Sequence, residues 1–378
     1  MPEIITLDTA SKLGYGELCF TWNGLGDNLA LLFAAEELYK RYGKKTLISA
    51  SHNNLEIFKN SDAVDLIEGF SLIEIKRDKS LISELGKYAI KPVFIHAIVY
   101  SKSFDNPGKN RQFLGGGHFF SYYCERIGLE GELQINPKLI LTQEEKTFGR
   151  FFKKNQIAIM SNGLQKYKTY PPHKTQNIID ALKDKYNFIQ LGSSKDVKLN
   201  NVLDFRGKSS IRQSASILHN SDLFVGGIGG LMHLARAVSC RSVITYSLAE
   251  GKGYGSYPCN KNITVADGCN LCFYNKRYPR NLCYNNHSCI KNIPEQEVIS
   301  AIDEMMSKEK YPLEVQTLEI QSDKVNGMDL YYQFNNTVSE INSTSDFFIN
   351  KTQERLKRIR ILQILDIDIK DIKTQKHS

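Results

Sequence analysis

The chain has 378 residues, 41% of them hydrophobic, and carries 49 Lys and Arg against 41 Asp and Glu, a net charge of +8. That much apolar material excludes a disordered chain and suffices for two domains of ordinary size with some extra. Eight cysteines, a start (MPEIITLDTA) without a basic-then-apolar leader, and no apolar run long enough to cross a bilayer argue against a secreted disulfide framework or a spanning segment, and predict a reducing cytoplasm. The basic excess has no long basic block. It suits a Lys-rich surface, phosphorylated substrates or an anionic membrane face at least as well as nucleic acid.

In chain order, the apolar run around Leu18 to Trp22 reads as a buried strand, and NGLGD as a glycine turn. From Asn28 to Tyr42, apolar Leu29, Leu32, Phe33 and Leu38 recur at helical spacing, and Gly43 stands where a helix ends. TLISA is the next strand. Strand, helix, strand at this spacing is a βαβ unit, which implies a parallel sheet. AVDLIEGF, SLIEIKR and PVFIHAIVY read as strands, Phe119 to Ile127 as a helix, and NPGKNRQFLGGGH as a basic Gly-rich loop. The charged stretch over 136–156 reads as the interdomain region.

The second half repeats this grammar. IAIM is a strand, SNGLQKYKTYPPH a loop, Thr175 to Lys185 a helix, and NFIQLG and NVLDF are strands. Ser210 to His219 is a helix, LFVGG a strand, IGG a turn, Leu231 to Ser239 a helix, and SVITYS a strand. That makes a doubly wound α/β unit of about five strands. One more helix, PEQEVISAIDEMM, begins at Pro294. Beyond Lys310 the chain is polar, with one amphipathic stretch, ERLKRIRILQILDI, that predicts a helical tail packed on the body or on a second subunit.

Ligands of open α/β sheets bind beyond the carboxyl ends of the strands, and three loops fit that rule. In NGLGDN, Gly24 and Gly26 permit a tight turn, but Leu29 stands where a third dinucleotide-binding glycine would be, which argues against a nicotinamide enzyme. Asp27 is either an N-cap or a carboxylate aimed into a cleft as general base. In SNGLQKYKTYPPHK, a flexible loop carries Lys166, Lys168 and His173, which could grip a diphosphate. In VGGIGGLMHLARA, Gly229 and Gly230 offer bare amides at a helix start, an anion cradle. His233 lies one turn further on, either as a core histidine or as a contact to the same ligand.

Half of the cysteines gather in CNLCFYNKRYPRNLCYNNHSC, spaced C-x2-C-x10-C-x5-C. In a reducing compartment this points to a metal held by Cys269, Cys272, Cys283 and Cys289, with structural thiols or a redox pair as alternatives. His287 could replace one sulfur. A closed shell of four thiolates leaves no open coordination position, so such a metal is structural, iron or zinc.

Jointly, the three loops resemble glycosyltransferase family 9, the bacterial heptosyltransferases, over roughly residues 17–305. GLGDNLALLFAAEEL looks like the family's Gly-x-Gly-Asp opening, whose aspartate is the base candidate, here Asp27. KTYPPHKTQNIIDAL resembles its Lys-x-Trp-Pro segment, which implies Lys168 on the donor diphosphate and puts Tyr170 where Trp is usual. RGKSSIRQSASILHNSDLFVGGIGGLMHLARAV resembles the donor-binding stretch, and implies roles for Gly230 and His233. The family often has Asp-Ser-Gly where this chain has Ile228-Gly229-Gly230, so the donor sugar loses a carboxylate partner. The cysteine segment is similar to that of autotransporter heptosyltransferases, which carry cysteine-bound iron.

The resemblance implies a GT-B fold, two Rossmann-like doubly wound domains facing a cleft, with a Cys-rich metal-bound loop and a helical C-terminal tail. Residues 1–150 would form the acceptor side and 157–305, including the Cys-rich 259–292, the nucleotide-sugar side; 306–378 would be an extension. The implied activity is inverting transfer of a heptose-like sugar from a nucleoside-diphosphate donor, ADP-heptose first, to a lipopolysaccharide, surface-glycan or protein acceptor. It implies a cytoplasmic enzyme with no catalytic metal, working at the inner membrane face or in a homo-oligomer. Two rivals stand beside it. A sugar-nucleotide epimerase on the same architecture would need acid and base on both faces of the sugar. A non-enzymatic zinc knuckle could use Lys276, Arg277, Arg280, Phe273, Tyr274 and Tyr278 on RNA, but leaves the three loops unexplained.

Overall fold

Apolar strands covered on both faces build the first half. The computed structural model describes residues 2–22, 24–68, 80–95, 117–163, 165–248, 252–265, 283, 286–310 and 312–322. The predicted strand SLIEIKR, most of the loop NPGKNRQFLGGGH, Cys269, Cys272 and the stretch ERLKRIRILQILDI lie outside the described residues.

The elements run α1 (Leu7–Lys12), β1 (Glu17–Phe20), α2 (Leu25–Tyr42), β2 (Thr46–Ala50), α3 (His52–Phe58), β3 (Val64–Glu68), α4 (Ser80–Lys87) and β4 (Lys91–Phe94). Among the described residues these strands form a four-stranded parallel sheet in the order β3-β2-β1-β4. Leu18, Phe20, Leu47 and Ile67 pack one face against Leu7, Ala10 and Leu85. Cys19, Ile48, Ala50 and Leu66 turn the other face to the apolar side of α2. Helix α2 ends at Gly43, as expected, with the left-handed φ of 66° that suits glycine. It starts three residues earlier than Asn28, because the Asn28 amide donates to the carbonyls of Gly24 and Trp22 and draws the entering chain into the helix.

Then come α5 (Phe119–Arg126), β5 (Gly131–Ile135) and α6 (Gln143–Phe148), the last inside the predicted interdomain stretch. The second half holds β6 (Gln156–Ile159), α7 (Pro172–Leu182), β7 (Asn187–Gln190), β8 (Val202–Asp204), α8 (Ile211–Asn220), β9 (Leu223–Gly227), α9 (Gly230–Ala237), β10 (Ser242–Thr245), α10 (Lys252–Gly255) and β11 (Asn260–Ile263). Its parallel sheet has six strands, β11-β10-β9-β6-β7-β8, rather than about five. The extra one is β11, whose sequence NKNI has a single apolar residue and buries only that one, as an edge strand can. After α11 (Ser288–Lys291) and α12 (Glu295–Ser307), β12 (Gln316–Ile320) returns to pair antiparallel with β5.

The two halves meet where α2 packs on α9 and α3 on α8. Beside this junction Arg212, buried near the start of α8, binds three parts of the chain. It donates to the Glu56 carbonyl at 3.0 Å, to the Ile140 carbonyl and to the Glu145 carboxylate, with which it also pairs through Nε. Glu145 completes the capping box of α6 with Thr142. Its carboxyl is held below the usual 4.5, first by the Arg212 hydrogen bond. Arg212→Ala should therefore lower the unfolding free energy by about 2 kcal/mol, because it orphans carbonyls and leaves Glu145 unpaired. The ion-pair part of that difference is complete above pH 4.5 and is lost as the pH falls through the lower folded value of Glu145. Urea titrations of both proteins across that range check the magnitude and the sign.

Candidate active site between the two sheets

Two helix starts converge here. The turn after β1 delivers the N-terminus of α2, and the turn after β9 delivers that of α9. A Cβ on Gly26 would lie 3.0 Å from Cδ2 of His233, and one on Gly230 would lie 2.8 Å from Cβ of Leu25. Both positions need glycine because the helices come this close. Gly229 differs: its backbone is extended (φ 166°), and a Cβ there would meet nothing within 4 Å. Its surroundings are open, at the positive ends of two helix dipoles.

Asp27 stands in the first turn of α2, with Gly24 as the N-cap residue, which corrects the expectation of Asp27 as a cap. Its Oδ1 accepts a hydrogen bond from the Tyr123 hydroxyl at 2.9 Å, and that hydroxyl lies 3.0 Å from Oγ1 of Thr21. Its Oδ2 lies over Gly24, where a Cβ would come within 2.3 Å, so the first glycine makes room for the carboxylate.

His233 is 6% exposed. Its Nδ1 is 2.8 Å from the Tyr257 hydroxyl, and its ring packs against Phe119 (centroids 4.7 Å), Phe120 (5.5 Å) and the edge of His118 (6.5 Å). Burial, then His118 and Lys168, push its pKa well below the usual value. The ring is therefore neutral and offers an anion no charge. His118 is likewise pushed down, to about 3, by burial and then by Arg236. Its Nδ1 accepts from the Phe120 N–H and caps α5.

The Lys-bearing loop is seated rather than flexible. Lys166–Lys168 form a 3-10 turn, Thr169 Oγ1 bonds both N–H and carbonyl of Gly163, and a Cβ on Gly227 would lie 2.4 Å from the Lys168 carbonyl oxygen. The ammonium of Lys168 lies over the Tyr167 ring, 5.4 Å from its centroid, and its charge is felt at His233. Lys166 is exposed, and its charge is felt at His287. The space under the loop, lined by Ser161, Lys168, Gly227 and Thr245 among others, is about 10 Å³, room for about one water. It is far too small for a nucleotide.

Tyr170 is buried and donates to the Ile293 carbonyl at 3.1 Å, and Lys174 donates to the same oxygen at 3.0 Å. The loop is thereby tied to the chain just after the cysteine segment. In that segment Cys283 Sγ accepts the His287 N–H at 3.1 Å, Cys289 is buried, and His287 Nδ1 is buried without a partner. Among the described residues no group of three potential ligands forms, and two of the four cysteines fall outside them. Ile228, where a carboxylate is frequent in the resembled family, is 2% exposed and belongs to the core.

The described contacts bring together Asp27, Gly24, Gly26, Lys168, Gly229, Gly230 and His233. Sequence reasoning missed Thr21, His118, Phe119, Tyr123, Gly227 and Tyr257. In the sequence FFSYYCER nothing separates Tyr123 from its aromatic neighbours.

No family model matches the sequence, and no curated protein matches it. Solved structures do. A glycosyl transferase family 9 protein from Veillonella parvula DSM 2008 superposes with a TM-score of 0.60 at 13% identity, over 77% of this chain and 97% of that one. The iron-containing dodecameric glycosyltransferase TibC from enterotoxigenic E. coli H10407 gives 0.59 at 14% identity, over 77% of this chain and 78% of that one. The ADP-heptose lps heptosyltransferase II of E. coli gives 0.56 at 15% identity, over 77% and 98%. The fold is accordingly the GT-B type, two Rossmann-like α/β halves facing each other.

Two glycines next to each other should answer differently to substitution. Gly230→Ala forces the starts of α2 and α9 apart and should destabilise by about 1–3 kcal/mol. Gly229→Ser, which places a good N-cap in open space, should stay within about 0.5 kcal/mol of wild type. Chemical denaturation of the two variants compares them directly.

Proposed function

We propose that the protein is an inverting glycosyltransferase that moves a heptose-like sugar from a nucleoside-diphosphate donor to a surface-glycan, lipopolysaccharide or protein acceptor. The observation that supports this most is one cleft holding a carboxylate, Asp27, beside two converging helix N-termini. Asp27 takes the proton of the acceptor hydroxyl, whose oxygen attacks the anomeric carbon from the face opposite the diphosphate. The bond to the diphosphate breaks and the configuration inverts. The amides at Gly229 and Gly230 and the ammonium of Lys168 stabilise the departing charge. Neutral His233 shapes the wall of the site.

ADP-heptose is the first donor to try, since one similar structure is an ADP-heptose heptosyltransferase and another, TibC, was solved with ADP-D-β-D-heptose. Buried Ile228 removes a carboxylate partner from the sugar, so other nucleoside-diphosphate sugars belong in the same panel. TibC is dodecameric, which supports a homo-oligomer here.

A structural iron or zinc on Cys269, Cys272, Cys283 and Cys289 belongs to this reading, although Cys283, His287 and Cys289 are not gathered as a ligand group among the described residues. TibC is iron-containing, which supports iron. When bound, the metal would brace the segment, and Tyr170 and Lys174 pass that bracing to the Lys168 loop through Ile293.

Asp27→Asn should lower transfer at least about 100-fold with the fold intact. Product assay with ADP-heptose tests this, and near wild-type turnover would sink the role of base. The right donor at 100 times its dissociation constant should add about 2.7 kcal/mol of stability, visible as a rise in Tm. Cys289→Ser should lose metal, measured by elemental analysis, and weaken donor binding; full metal content would remove the site.

A further inference from the structure

Tyr123 and Thr21 do nothing in the mechanism above, yet Tyr123 bonds its base and Thr21 bonds Tyr123. Tyr123 sits on the second turn of α5, fully buried, 96 residues from Asp27 in sequence. Burial, and next the charge of Asp27, push its pKa well above the usual value, so it remains a phenol with one proton to give. That proton goes to Asp27 Oδ1, which accepts it at 2.9 Å. Thr21, 3.0 Å away, must then be the donor to the phenol oxygen. The three groups form a chain of one direction, Thr21 to Tyr123 to Asp27, anchored on the end of β1, on α5 and on α2.

We infer that Tyr123 is a positioning residue for the base: its hydroxyl, oriented by Thr21, fixes Oδ1 and with it the orientation in which the carboxylate meets the acceptor proton. The inference rests on the reading of Asp27 as general base. Helix α5 suits this task because its first residue, Phe119, packs on His233 of the opposite half and also lies against Gly26. One short helix therefore sets the carboxylate and the α9 wall in a common frame. Fixed orientation of a reacting group is a large share of enzymatic rate, and an error of about 1 Å can cost about 100-fold.

The test is a double-mutant cycle of Tyr123→Phe and Asp27→Ala, read in transfer kinetics and in substrate-free thermal denaturation. Tyr123→Phe keeps the ring and its packing. It should lower kcat about tenfold with donor KM unchanged, and that loss should vanish in the Asp27→Ala background. Thr21→Val should give a smaller loss of kcat in the same direction. The Tm losses of the two variants should be non-additive, since they break one bond. Unchanged kcat in Tyr123→Phe, or additive Tm losses, would overturn the inference. Two failures are separable. Full transfer by Asp27→Ala sinks the base and this inference with it. A large loss in Asp27→Ala, with the same fold-loss from Tyr123→Phe in both backgrounds, sinks the inference alone.

Discussion

The starts of α2 and α9 approach until no side chain fits between them at Gly26 and Gly230. Each helix grows from the carboxyl end of a strand in a different sheet, so this contact decides how the halves face each other. It sets Asp27 of one sheet beside the open Gly229 turn of the other. Two N-termini in one place add their fields, each worth about half a positive charge close to the helix end. The placing of the carboxylate beside a second helix start follows from a contact that two missing Cβ atoms permit.

Aromatic packing dries the same place. Phe119, Phe120, Tyr257 and His118 surround His233, and burial leaves both histidines neutral. In an exposed loop His233 would be a natural cation for a diphosphate. Here it is a neutral wall, and the positive charge nearby is that of Lys168 and the helix ends. The chemistry expected of a residue type thus changes with its solvent exposure, which desolvation energies of several kcal/mol make decisive.

Away from the cleft, two attachments hold its parts in register. Arg212 gathers the end of α3, the chain before α6 and Glu145 into one buried knot beside the junction of the halves. Tyr170 and Lys174 seize the carbonyl of Ile293 and fasten the Lys168 loop to the chain that leaves the cysteine segment. Both use charged or phenolic donors on backbone carbonyls. Such bonds fix the backbone whatever side chains it carries.

The sequence by itself determined the alternation of strands and helices, the end of α2 at Gly43, and the glycine-rich entries at Gly24 and Gly229, while Gly26 and Gly230 proved to lie inside the helices. Apolar period and glycine placement act over a few residues, so they can be read locally. It also singled out Asp27, whose place in the first turn rather than at the N-cap only the folded geometry fixed. Strand β11 escaped because an edge strand needs little apolar sequence, and β12 because its partner β5 lies far back in the chain. Tyr123 meets Asp27 across 96 residues, and Arg212 meets Glu56 across 156. Nothing local marks such residues, because their partners exist only once the faces of separate elements have docked. The chain's local code set the elements and their turns. Docking chose the hydrogen bonds between them, and with the burial it brought, the protonation of His118 and His233 and the company of Asp27.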